Sequence, residues 1–172
     1  TTYYNGLFQA PLSWALKNLT PGVDKFFYFL DVKPGDTGTS SISIHINKGP
    51  AYACLDFVNL KDLENGINEP ESLVDSSTST GELAEGLEFF AWRDDGDKKF
   101  EIGEKPLFGT STQSGKVVLD NTSYALADAV TGTPYASGST NYVGIYWCAG
   151  DISVDVPNAK VTCNGEVLGN EA

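Results

Sequence analysis

This chain of 172 residues has one histidine, no methionine and three cysteines. Each scarcity removes a class of chemistry. A zinc hydrolase commonly draws two histidines from one helix, as in HExxH, and no such motif is present. A Ser–His–Asp triad would have to use His45 as its base, and no GxSxG elbow accompanies it. His45 lies inside the alternating run SISIHIN and reads as a solvent-facing strand residue. Glycoside hydrolysis needs only two carboxylates, so the acids keep that chemistry open. Basic residues are also scarce: 11 Lys and Arg stand against 23 Asp and Glu, for a net charge of −12. Such a surface repels nucleic acid and anionic membranes, so neither is expected as a partner. Long apolar runs are missing too. The densest is FFYFL at 26–30, far short of the roughly 20 residues that span a bilayer as a helix.

What is present is enough for a core: 41% of residues are hydrophobic and 12% aromatic. The length fits one domain. Strand signals dominate. In SISIHIN, Ile42, Ile44 and Ile46 alternate with Ser41, Ser43 and His45, the pattern of a half-buried strand. KFFYFLDV (25–32) and AYACLDFVNL (51–60) are β-rich runs bounded by the turn signals PGD and KGP. LEFFAWRD, GKVVLD, NYVGIYWCAG, DISVDV and AKVTCNG follow as further strands. TGELAEGLEFF (80–90) opens as a short helix, and SYALADAV (123–130) reads as a second. Many short strands with Gly-rich turns predict an all-β, jelly-roll-like sandwich with one or two short helices.

The N-terminus departs from the usual polar, frayed end. Residues 1–22 read as an apolar arm that either packs on its own domain or leaves to pair with a neighbour, and 23–172 as the sandwich domain. Thr2, Tyr3, Tyr4, Gly6, Leu7 and Phe8 read as one extended strand. Tyr4 and Phe8 would then share a face with Thr2 and Gly6, and Tyr3 and Leu7 the other. Thr1 is not an initiator methionine, so the chain reads as a mature form whose targeting segment is gone or was never present.

Carboxylates crowd residues 62–104. One cluster is Asp62, Glu64, Asn65, Asn68, Glu69 and Glu71; the other is Asp94, Asp95, Asp97, Glu101 and Glu104. Hard cations take oxygen ligands from such groups, so these residues are the candidate ligands of a structural calcium, with a solvated acidic face as the plainer reading. No cofactor is required. Asn18 and Asn121 begin Asn-X-Ser/Thr sequons and are candidate glycosylation positions. The cysteines allow two readings. All three are buried thiols, or Cys148 and Cys163 join across a hairpin with Cys54 free in the core. A bond of that loop size contributes about 3 kcal/mol in the chain-entropy view.

The stretch PGDTGTSSISIHINKGPAYACLDFVNLKDLENGINEPES resembles the camelysin/TasA family of secreted, SipW-dependent proteins. The likeness continues through STGELAEGLEFFAWRDDGDKKFEIGE and TNYVGIYWCAGDISVDVPNAKVTCNGEVLGNEA, and so runs over 34–172. The resemblance implies a jelly-roll-like sandwich, export with leader removal, and a disulfide between Cys148 and Cys163. It also implies a non-enzymatic subunit of extracellular or cell-surface filaments, such as biofilm fibres or archaeal bundling pili. Identical subunits would join head-to-tail by donor-strand complementation, and neighbouring filaments would bundle. The alternatives are a secreted monomeric camelysin-like hydrolase or a calcium-binding surface protein. The family's usual N-terminal FSDTE-like stretch and AGxLDL strand are not recognisable here; TTYYNGLFQAPLSWALKN stands in their place.

Overall fold

The computed structural model describes residues 2–4, 7–8, 18–20, 23–29, 32–64, 81–109, 111–120, 122–130 and 132–164, the first two as backbone pairing only. In chain order the elements are β1 (Thr2–Tyr4), β2 (Leu7–Phe8), β3 (Thr37–His45) and β4 (Ala53–Asp56). Then come α1 (Leu83–Gly86), β5 (Leu87–Asp94), β6 (Lys105–Pro106), β7 (Gln113–Ser114) and α2 (Gly115–Leu119). The last are β8 (Ser123–Ala127), β9 (Thr140–Ala149), β10 (Ile152–Asp155) and β11 (Lys160–Cys163). All ladders between these strands are antiparallel, and the fold is the expected all-β sandwich with short helices.

The central sheet runs β2-β1-β3-β9-β5-β6, with β7 also on β5. β9 is its spine, pairing with β3 from Thr37↔Cys148 to His45↔Thr140 and with β5 from Leu87↔Ala149 to Asp94↔Tyr142. Both of its faces are covered, which is why LEFFAWRD and NYVGIYWCAG are nearly continuously apolar rather than alternating. One face carries Leu87, Phe89, Ala91, Val143, Ile145 and Trp147, packed with Leu126 of β8, Val118 of α2 and Phe57. The β4–β8 pair covers it. The other face carries Phe90, Trp92 and Cys148, met by Ile152, Val154 and Val161 of the β10–β11 hairpin and by Phe100. Ile42 and Ile44 pack against the first face, as the alternation predicts, and Ile46 is buried beyond them.

Two glycines are required by this packing. Gly38 lies opposite Trp147, and Gly144 opposite Trp92. A Cβ at either position would overlap the facing indole. The indoles lie over bare backbone, which lets three strands carry two tryptophans without splaying.

Four expectations are corrected. Residues 25–29 and Val32 of KFFYFLDV form no strand among the described residues. Instead Phe26, Phe27 and Phe29 pack irregularly on the larger core, Phe27 edge-on to Phe89 at 5.3 Å and Phe29 edge-on to Trp147 at 4.8 Å. SYALADAV is not a helix: Ser123–Ala127 pairs with β4, because burial of Leu126 and Ala127 in the sandwich overrides local helix propensity. GKVVLD is not a strand but helix α2, whose N-cap Ser114 accepts from the Val117 amide at 3.4 Å. Cys54 is exposed rather than in the core, since it takes an outward position of β4.

The terminal run also differs from the single strand expected. β1 and β2 pair with each other, Tyr3↔Phe8 and Tyr4↔Leu7, so the chain doubles back between them. The intervening dipeptide is Asn5-Gly6, the strongest short hairpin signal. Gly6 itself lies outside the described residues.

Candidate functional site

Two places gather the residues singled out by sequence: the acidic turn after β5 and the edge of the sheet at β3.

The acidic turn begins where β5 leaves the core. Asp94 is the last residue of β5 and only 7% exposed, on the face shared with Trp92 and Phe90. Its Oδ1 accepts the Lys98 amide at 3.0 Å and the Trp92 indole N–H at 3.4 Å. Its Oδ2 is buried with no hydrogen-bond partner. Burial pushes the Asp94 carboxyl above the usual carboxylate range. The Lys98 amide and the Trp92 indole pull it back in part, while the charges of Asp97 and Asp95 push further up. The chain then turns sharply, with φ of 119° at Gly96 and 71° at Lys98. Gly96 is needed twice: for that φ, and because a Cβ there would lie 3.0 Å from the Tyr142 ring. Asp95 Oδ1 accepts the Asp97 amide at 3.2 Å, and Asp97 Oδ1 accepts the Lys99 amide at 2.8 Å.

Of the five acids expected in this cluster, the turn brings Asp94, Asp95 and Asp97 together, with one carboxylate oxygen of each within 4.8 Å of the others. Glu104 has a different task. Its two oxygens accept the Asp95 amide at 2.9 Å and the Glu101 amide at 2.8 Å, which closes the loop. Burial raises its carboxyl, the Glu101 and Asp95 amides lower it, and the charges of Asp94 and Asp95 raise it. Glu101 is exposed and contributes its backbone.

The other acidic group is not brought to a site among the described residues. Asp62 Oδ2 accepts the Ala84 amide at 2.9 Å, satisfying the start of α1. Glu64 is described, but Asn65, Asn68, Glu69 and Glu71 lie outside the described residues. Asn18 is exposed, and Asn121 lies outside the described residues. His45 is exposed as expected, between the hydroxyls of Ser43 and Thr140 at 3.1 Å each.

The disulfide joins Cys148 of β9 to Cys163 of β11, with Cα atoms 5.8 Å apart. It pins the β10–β11 hairpin over the smaller face. Glu88 secures the same hairpin from β5, its Oε2 accepting the Ile152 amide at 2.6 Å and the Thr112 hydroxyl at 3.2 Å. Sequence reasoning passed over Glu88 because one acid in a strand carries no signal of its own.

At the sheet edge, β1 pairs with β3 of its own chain: Thr2↔Ser40, Tyr3↔Thr39 and Tyr4↔Gly38. Among the described residues, nothing pairs with the same side of β3 from Ser41 to His45. A cleft of about 470 Å³ adjoins the other end of β3, lined by Thr37, Gly38, Thr39, Asp97, Lys98, Lys99 and Tyr146. Among the described residues no helix is long and apolar enough to cross a membrane.

No family model, curated protein or solved structure matches the chain.

Proposed function

We propose that the protein is a structural subunit of extracellular filaments, joined head-to-tail by exchange of its N-terminal strand. The observation that carries this reading is the short β1–β3 ladder at the edge of the central sheet. Its strand comes from the very start of the chain, and it spans three residues of β3. Each backbone hydrogen bond in such a ladder is worth about 0.5–1.5 kcal/mol net. A copy of the same strand from a neighbour forms the same bonds, so leaving one's own β3 for another's costs little enthalpy. The balance is then set by local concentration and by the segment that connects the arm to its body. Exchange repeated in one direction yields a filament when the rotation between subunits does not close a ring.

The motif likeness to camelysin/TasA proteins supports the same reading, as does the Cys148–Cys163 bond, which fits an oxidising location outside the cytosol. The partners are identical subunits, and bundling of neighbouring filaments follows as a second level of assembly. The subunit is read as non-enzymatic. Deletion of residues 1–12 tests the donor role by electron microscopy of the purified protein. The deletion variant is expected to stay folded and to form no filaments; filaments of undiminished length and number would refute the donor role.

A further inference from the structure

We propose that Asp94, Asp95 and Asp97 together bind one divalent cation of the calcium class. The inference stands independently of the filament reading. The decisive feature is Asp94. Its carboxylate is more than nine-tenths buried and held in place by the Trp92 indole and the Lys98 amide, both on Oδ1. Oδ2 is left buried with nothing to bond. A buried acceptor without a partner is costly and rare in folded proteins, and a charged one more so. A cation beside it removes that cost.

Asp95 and Asp97 complete the set from the solvent side. Both are exposed, which leaves an entry path for an ion. Their Oδ1 atoms accept loop amides, as Asp94 Oδ1 does, which fixes each carboxylate to the turn. Three oxygens within 4.8 Å of one another fit a single ion at calcium–oxygen distances of about 2.3–2.6 Å. Backbone carbonyls and water supply the rest of a calcium shell. The ligand set is all oxygen, which disfavours zinc, and its mixed buried and exposed geometry suits calcium better than the strict octahedron of magnesium. A bound cation also offsets the mutual repulsion of these acids within a chain of net charge −12.

The test is calcium titration of the chelator-treated full chain by calorimetry, with terbium luminescence as a second readout. Trp92 donates to an oxygen of Asp94, so its indole is placed to sensitise a terbium ion bound there. Saturable binding of one calcium is expected, with a dissociation constant on the order of 10⁻⁴–10⁻³ M as in extracellular calcium modules. Calcium should raise the melting temperature of the native chain. Asp97→Asn and Asp95→Asn change exposed side chains. Each should weaken calcium binding by about tenfold or more, through loss of one charged ligand, and should lower the Trp-sensitised terbium emission. Their melting temperatures without calcium should match the native chain or exceed it. Absence of saturable binding up to about 10 mM calcium, beyond the weakest extracellular sites, would overturn the proposal. So would equal affinity for magnesium, or binding unchanged in both variants.

Discussion

On the face of the central sheet that meets β4 and β8, Phe89, Val143, Ile145 and Trp147 are buried under Leu126, Phe57 and the aromatic run Phe26, Phe27 and Phe29. On the opposite face, Phe90, Trp92 and Cys148 meet, among the described residues, a two-stranded hairpin and Phe100. The first face is closed by apolar area from many segments distant in sequence. Among the described residues the second has less apolar cover, and it adds a disulfide and the Glu88 link to Ile152. A small cover cannot bury enough surface to hold itself down, so it is tied down instead. The acidic turn belongs to this second face, since Asp94 stands two residues after Trp92 on β5 and so shares its side of the strand.

Replacing a residue on each face tests that contrast. The largest effect is expected for Phe89→Ala. The ring is fully buried and touches Phe27 and Phe29, so its loss should cost about 3–5 kcal/mol. Chemical denaturation measures it. The next is the double variant Cys148→Ala, Cys163→Ala, expected to lose about 3 kcal/mol with the hairpin the first part to open. Hydrogen exchange should show amides of Ile152–Asp155 losing protection before those of β3. If the double variant costs more than Phe89→Ala, or opens uniformly, the contrast between the faces is wrong.

The smallest effect concerns Tyr146, on the disulfide-bearing face. Burial raises its phenol above the ordinary tyrosine value, and the Thr37 hydroxyl lowers it in part. The folded state therefore keeps this proton longer than the unfolded chain does. The resulting stability is present below the unfolded pKa and is lost as pH rises through the folded one. Tyr146→Phe should flatten that alkaline loss in a melting series from neutral pH to above about 10, the ordinary tyrosine pKa. An alkaline loss of the same slope in the variant would remove Tyr146 as its cause.

The contrast also explains what was legible in the sequence. SISIHIN declared its strand and its inward isoleucines because one side of β3 is polar. LEFFAWRD and NYVGIYWCAG declared strands but not their two destinations, since a strand buried on both sides has no alternation to read. KFFYFLDV misled because aromatics favour strands and also fill irregular core, and only the surrounding packing decides between them. SYALADAV and GKVVLD exchanged roles for the same reason: five-residue elements take their form from what they pack on. In the acidic stretch, composition picked out Asp94, Asp95 and Asp97, but it could not separate a buried carboxylate from its exposed neighbours. Nor could it separate Glu104, which closes the turn by accepting amides, from a ligand.

Strand exchange at β3 is tested most directly by a cysteine pair. Tyr3 and Thr39 are direct Cα partners across β1 and β3. Opposed residues of an antiparallel pair lie about 4.5–5.5 Å apart at Cα, within the reach of a disulfide. Tyr3→Cys with Thr39→Cys, in a Cys54→Ser background, should cross-link successive subunits in assembled material and give a ladder on a non-reducing gel. The same pair oxidised in dilute monomer should lock β1 onto its own β3 and block assembly until it is reduced. Filaments that contain only intramolecular cross-links, or that grow as well from the locked monomer, would contradict exchange of this strand.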